Sequence, residues 1–434
     1  MWICLGLVAL ALYFANSMNS ELHAADNRTN EIAARQAIAG GMRYAAYVLK
    51  QYAVGGVVPD VDSYKAEALP VGDASFWFIG RNNDDPQQTQ ATEPYFALVD
   101  EASKLNLNTA TSAMIQALPL PGMTSDIADA IVAWRNNGQN AANYDNNYSQ
   151  LNPPRHNKGG PFETIEELRL VYGVSLDILL GEDTNRNGVL DPNEDDGETS
   201  APRDDQNGQL LAGLLEYVTV YSREPATSAS GSRRINLSTP PTPQTRQQLV
   251  QRLTQRGITQ QRALQIVLRA GANPFNSVAE FLLTTQMTAD EFALVHTDLT
   301  ATTAANGTTQ GLININTASA AVLACIPGIG TDYAATIVAY RAAHPDSLTS
   351  MAWITEVLPP ASIRQAGRYI TDQSYQFSAD IAAVGANGRG YAREKFVFDV
   401  STATPRVVAR QDLSAAGWAL GTQTRTTIRE PKNT

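Results

Sequence analysis

A stretch without proline from Trp2 to Tyr52 constrains this chain more than any other feature. Its first part, Trp2 through Phe14, is apolar throughout, and no charged residue occurs before Glu21. Its last part, Asn27 to Tyr52, is rich in Ala, Arg, Glu and Gln. There Ile32, Ala33, Ala37, Ile38, Tyr44, Ala45, Val48, Leu49 and Tyr52 recur at helical spacing. The pattern predicts one helix about 75 Å long, apolar all round at one end and amphipathic at the other. Such an element is a stem, with one end in lipid and the other packed on a folded head. Gly40-Gly41 marks a bend or a close-packing point, and Gly55-Gly56 with Pro59 ends the helix. The apolar run is short of the about 20 residues that span a bilayer, and no basic segment precedes it. The expectation is therefore a weak anchor, or a true chain that begins upstream of Met1.

The remainder reads as a sheet split by a helical insertion. Ser75-Phe-Trp-Phe-Ile79 and Pro94 to Glu101 read as the two strands of a hairpin, joined by a polar turn containing Asp84-Asp85-Pro86. Strands return at the far end as Tyr375 to Val384, Lys395 to Val400 and Arg406 to Arg410, with Gly385 to Gly390 as a turn. Between them the chain is mostly helical and carries an imperfect repeat. An opening phrase occurs as Leu105-Asn-Leu-Asn-Thr-Ala110, Ile235-Asn-Leu-Ser-Thr239 and Ile313-Asn-Ile-Asn-Thr-Ala318. A closing phrase occurs as Gly160-Pro-Phe-Glu-Thr-Ile-Glu-Glu-Leu168 and Asn273-Pro-Phe-Asn-Ser-Val-Ala-Glu-Phe281, with a looser Ser347 to Ile354. Helices such as 127–135, 261–269 and 333–341 lie between. The Asn or Ser with Thr of the opening phrase is expected to cap the first helix. Pro119 to Gly122 and Pro327-Gly-Ile-Gly330 make tight helical hairpin turns. The middle copy has Arg256-Gly257 in that place. Thr164 with Glu167, and Ser277 with Glu280, have capping-box spacing.

Asp183-Thr-Asn-Arg-Asn-Gly-Val-Leu-Asp-Pro-Asn-Glu194 matches the calcium-loop pattern D-x-[DN]-x-[DN]-G-x5-E throughout. Calcium needs six or more hard oxygens around one point. Asp183, Asn185 and Asn187 offer side-chain oxygens, Val189 its carbonyl, Asp191 a direct or water-mediated oxygen, and Glu194 both carboxylate oxygens. Gly188 permits the sharp turn, and Leu190 is expected to pin the loop. An acidic solvated turn would carry similar charges, and Asp195, Asp196 and Glu198 prolong the run. The complete match favours a bound, structural calcium ion. Residues Ser175 to Leu180 suit a short helix, whereas Asp195 to Pro202 does not, so this is a staple and not a paired sensor.

Catalytic constellations are absent. His23, His156, His296 and His344 are scattered and read as structural, and the chain holds neither a G-x-S-x-G nor a Walker loop. Cys4 and Cys325 stand in unlike settings and are not expected to pair. The formal net charge of −11 repels nucleic acid.

The repeat resembles the helix-hairpin-helix module, which in many proteins donates backbone N–H groups to DNA phosphates. That makes a membrane-anchored DNA-binding protein of uptake type the alternative function. DNA binding needs basic residues beside the turn, yet Thr331, Asp332 and Tyr333 follow one turn and Ser125 and Asp126 the other.

The chain as a whole resembles the type II secretion minor pseudopilins called general secretion pathway protein K, GspK. The likeness rests on the long N-terminal helix and on Val99-Asp-Glu-Ala-Ser-Lys-Leu-Asn-Leu-Asn-Thr-Ala110. It rests also on Leu120-Pro-Gly-Met to Arg135 leading to Gly160 to Leu168, and on Tyr217-Val-Thr-Val-Tyr-Ser222 before a further N-x-x-T phrase. The resemblance implies an α+β fold with a pilin-like long N-terminal helix, an antiparallel sheet and a large helical insertion of helix-hairpin-helix or SAM-like type. The expected units are a stem at 1–56, a sheet domain from 57–110 and 369–423, a first helical insert with the calcium loop at 111–222, a second module at 223–300 and a third at 301–368. It implies a non-enzymatic role at the tip of a periplasmic pseudopilus, single-pass anchoring in the inner membrane, and other minor pseudopilins as partners, with the exported protein as a further contact. Family members are described as calcium-binding in the insertion. Two features depart from the family: the prepilin leader is missing, and the insertion carries three modules.

Overall fold

The computed structural model describes residues 2–429 except 86–87, 137–138, 198, 200–201, 203 and 305. Met1, Pro86 of the expected turn and Glu198 of the acidic run thus lie outside the described residues. Trp2–Tyr52 is a single α-helix of 51 residues. Its C-terminal half packs on the head through Ala34, Ala37, Ile38, Ala45, Val48 and Leu49, all buried. Its N-terminal half projects free, with Leu10, Leu12, Tyr13, Phe14, Met18 and Leu22 exposed. Gly40 and Gly41 are close-packing points and not a break. A Cβ at Gly40 would stand 3.0 Å from Val71, and one at Gly41 3.0 Å from both Ile381 and Phe76. A short 3-10 turn, Val54–Gly56, follows the helix, with Gly55 and Gly56 at φ 75° and 90°. Among the described residues, no helix is long and apolar enough to cross a membrane.

The head is built on a six-stranded antiparallel sheet drawn from both ends of the chain. Its main path runs Leu69–Val71, Ala74–Ile79, Gln376–Val384, Tyr391–Asp399 and Arg406–Asp412. Side chains alternate across it. Phe76, Phe78, Phe377, Ile381, Phe396 and Phe398 face the stem helix and form one core. Trp77, Ile79, Ala382 and Val384 face the other way, beneath Ala419 and Leu420.

The expected hairpin does not form. Ala74–Ile79 pairs with Leu69–Val71, a strand the sequence reading missed. The Pro94 to Glu101 segment yields only Val99–Asp100, which pairs with Phe377 and Ser378. Ala74–Ile79 pairs with the rest of that same strand, Asp380 to Val384. The two segments therefore lie end to end along one long neighbour, meeting at the bridge between Ile79 and Phe96.

The insertion repeats one closure three times. Leu105–Asn106 pairs in parallel with Val218–Thr219, Ile235–Asn236 with Leu299–Thr300, and Ile313–Asn314 with Ile370–Thr371. The next residue of each opening phrase then donates its N–H to the closing threonine: Leu107 to Thr219 at 2.8 Å, Leu237 to Thr300 at 2.7 Å and Ile315 to Thr371 at 2.8 Å. The opening asparagines are not helix caps. Asn106, Asn236 and Asn314 each accept the N–H two residues on, closing an Asx turn at 2.9, 3.0 and 2.9 Å. The caps come later, from Thr111, Thr242 and Ser319. Asn108 meets the closing phrase directly, exchanging bonds of 2.7 and 3.0 Å with the backbone of Phe162. Glu167 caps as expected, accepting from the N–H of Thr164. Glu280 instead reaches one residue further, to the N–H of Asn276.

An arginine fastens two of the three modules. Arg135, at the end of Ser125–Arg135, donates to the carbonyls of Leu107 and Ala110. Arg341, in Gly330–Ala343, donates to the corresponding carbonyls of Ile315 and Ala318 at 2.7 and 2.9 Å. Arg269 of the middle module reaches only the carbonyl of Thr285, at 3.3 Å. All three modules share one continuous apolar core. Replacing Arg341, whose side chain is fully buried, with Met should cost about 2–3 kcal/mol in denaturant unfolding, whereas Arg269→Met should cost about 1 kcal/mol or less. Equal losses would show that the clamp does not distinguish the modules.

Candidate calcium loop and the buried charge layer

The loop Asp183 to Glu194 follows the helix Leu176–Leu180 and is wound tightly around its own backbone N–H groups. Asp183 accepts from Asn187 and Gly188, each at 2.9 Å. Asn185 accepts from Asn187 at 2.9 Å, and Asn187 from Val189 at 2.8 Å. Glu194 closes the ring, accepting from the N–H of Thr184, Asn185 and Asp191. Gly188 sits at φ 81°, and a Cβ there would stand 2.7 Å from the Arg81 side chain. Val189 is 1% exposed and anchors the loop, whereas Leu190 is half-buried.

The donor set suits a hard cation. Asp183, Asp191 and Glu194 are each buried, and burial raises all three carboxyl pKa values, that of Glu194 to about 7. A bound divalent ion would offset that burial. The Asn185 and Asn187 amide nitrogens hold Asp191 at 2.6 and 3.0 Å. Among the described residues, no three His, Cys, Asp or Glu side chains converge on one point as metal ligands. The structure therefore brings all six expected residues into one buried loop, but with amide groups turned to the Asp191 carboxylate.

The loop is seated on a layer of buried charge that sequence reasoning missed. The sheet strands present Asp380, Arg393 and Lys395 on the face away from the stem. Arg393 pairs with Asp380 through two bonds of 2.8 and 2.7 Å. It also donates to the loop carbonyls of Asn185 and Arg186. Burial alone would ease the proton from Arg393, but Asp380 more than reverses this and raises its pKa. Arg81 pairs with Glu216 at 2.9 Å, lies 3.7 Å from Asp183 and donates to the Arg186 carbonyl at 3.2 Å. Lys395 stands 3.3 Å from Glu101. Burial pushes the Glu101 carboxyl up, yet Lys395 and Lys104 together pull it down to about 2. Locally, Arg393-Glu-Lys395 carries no signal of the loop's cover.

The family model described as "Type II secretion system (T2SS), protein K" matches residues 89–180, from the segment before Val99–Asp100 to the helix preceding the loop. Residues 89–180 are thus similar to protein K of type II secretion systems. A second family model, described as "Helix-hairpin-helix motif", matches residues 308–358 in the third module. Among solved structures, the chain is similar to one from the GspK-GspI-GspJ complex of the enterotoxigenic Escherichia coli type 2 secretion system. That likeness has 10% identity and a TM-score of 0.40, and covers 91% of this chain and 99% of that one. No curated protein matches the sequence.

The protein K segment meets the helix-hairpin-helix segment at Asp100. Its buried carboxylate accepts from Asn314 at 3.2 Å, and from Thr317 and Ser374 at 2.6 Å each. The hairpin turn itself is partly covered. A Cβ on Gly328 would stand 2.7 Å from the carbonyl of Ser362, so this side of the turn lies against the module's last helix, Pro360–Ala366. Phosphate contacts of the DNA-binding kind would also have to be made beside Asp332.

Burial pushes the Asp100 carboxyl up to about 6, against the hydrogen bonds from Ser374, Thr317 and Asn314 that favour the anion. Its folded pKa exceeds the ordinary 3.8, so the folded state binds the proton more tightly. Stability from this group therefore grows as pH falls from about 6 towards 4. Glu101 acts in the opposite sense, and only below its ordinary 4.5. In denaturant unfolding between pH 4.5 and 7, Asp100→Asn should flatten the dependence of stability on pH. An unchanged slope would contradict the assignment.

Proposed function

We propose that this chain is a protein K-type minor pseudopilin of a type II secretion system, which assists assembly of the periplasmic pseudopilus and caps its tip for protein export. The observation that carries the reading is the division of the Trp2–Tyr52 helix into a free apolar half and a half packed on the head. In the proposed arrangement the free half sits in the inner membrane, the head lies in the periplasm, and the exposed residues from Leu10 to Leu22 bundle with the stems of other minor pseudopilins. The chemistry is assembly, with no catalytic step. A chain lacking residues 1–25, co-expressed with its system's other minor pseudopilins, should be recovered with them far less than the full chain. Equal recovery would remove the stem from assembly.

We further propose that the Asp183 to Glu194 loop takes a structural calcium ion, supported by its oxygen donor set and its three buried carboxylates. Asp183, Asn185, Asn187, Asp191 and Glu194 would hold the ion by side chains and Val189 by its carbonyl. The ion would balance the loop's three buried carboxylates, of which Asp183 lies near Arg81 while Asp191 and Glu194 have no ion-pair partner among the described residues. At a calcium concentration of about 100 times Kd the intact chain should gain about 2.7 kcal/mol over chelated protein. Glu194→Gln should reduce that gain while melting like the intact chain in chelator. Identical melting of the intact chain in calcium and in chelator would count against the ion.

A further inference from the structure

A cavity of about 490 Å³ opens between the helical hairpin of the third module and the charge layer. Its volume lies within the range of small-molecule sites. The hairpin wall is made of small side chains: Ala320 and Ala321 from one helix, and Ala335, Ala339 and Ala342 from the other. The opposite wall carries Leu210, Ala212 and the ring of Tyr217. An apolar space of this kind arises because alanine on both hairpin helices leaves the wall recessed where longer side chains would fill it.

Among the described residues, the charged groups that line it are paired, with one exception. Arg81 and Glu216 hold each other at 2.9 Å. Asp84 is held by Arg341 at 2.7 Å. Lys104 also lines the cavity and is only 9% exposed. Its ammonium has three donors, yet among the described residues it has no hydrogen-bond acceptor and no carboxylate within ion-pair distance. The carboxylate of Glu101 is committed to Lys395 at 3.3 Å and to the Thr219 hydroxyl at 2.5 Å. A largely buried ammonium with no protein acceptor is poorly solvated, and an anion delivered from outside would give it a charge-assisted partner.

We propose that this cavity binds a small organic carboxylate with an apolar body, its carboxylate on the Lys104 ammonium and its body against the alanine wall. Burial supports the pairing, since it pulls the Lys104 pKa down to about 8 while the group has no direct partner. The apolar walls favour a hydrocarbon or aryl body over a hydrated inorganic anion, which would lose its water without recompense.

The test uses the full-length chain and three probes of one shape: 4-phenylbutyrate, its neutral counterpart 4-phenylbutanol and the cationic 4-phenylbutylamine. Titration calorimetry should show saturable binding of the carboxylate at least about tenfold tighter than of the alcohol, and no binding of the amine. Lys104→Met should abolish the preference for the carboxylate and leave the alcohol unaffected. Ala339→Trp, on the exposed part of the hairpin wall, should block both. The comparison of probes on the unaltered chain holds whether or not either variant folds. Equal affinity for carboxylate and alcohol, no saturable binding at all, or binding that survives Ala339→Trp in a folded chain would each overturn the proposal.

Discussion

The bidentate pair of Arg393 and Asp380 is the joint on which the head turns. It lies on the central strands of the sheet, on the face away from the stem, and Arg393 extends past Asp380 to hold two loop carbonyls. A buried arginine is tolerable only when its charge and its donors are all engaged. Here the sheet supplies the charge and the loop supplies the remaining acceptors. Sheet and insertion consequently complete each other's polar needs, and Arg81 does the same from the end of the Ala74–Ile79 strand. The two faces of one sheet thus do different work: an aromatic face seats the stem helix, and an ionic face orients the helical insertion.

Much of this was legible in the sequence where a single physical rule dominates. A long proline-free segment with helical apolar spacing has few alternatives, and Trp2–Tyr52 is one helix. The sheet's origin at both chain ends followed from β-branched and aromatic alternation, which Gln376–Val384 and Tyr391–Asp399 carry strongly. The calcium-loop pattern located a segment that is indeed a compact, buried turn, because its Asx and Gly positions encode backbone geometry as well as donor chemistry.

Other parts were hidden for identifiable reasons. The recurring asparagines read as caps because caps and Asx turns draw on the same short polar side chains. Only the fold shows that Asn106, Asn236 and Asn314 end a short strand and shape the turn that follows it. Val99–Asp100 reads as pairing with the nearest strand in sequence, whereas its partner lies at the other end of the chain. The charge layer escaped because the polar half of an alternating strand ordinarily faces water, and nothing local in Arg393-Glu-Lys395 says that a loop will cover it. The lone ammonium of Lys104 depends on distances among distant segments and has no signature along the chain.

Each of the three modules leaves its neighbours where it began, because its first and last residues lie side by side in a parallel two-residue ladder. A unit closed in this way resembles a bead on a ring. Its interior can lengthen, shed a helix or acquire an acidic loop while the thread on either side keeps its path. The loose middle bead, which lacks the arginine clasp, and the first, which carries the acidic loop, illustrate how far such units can diverge without disturbing the strand-and-stem frame that carries them.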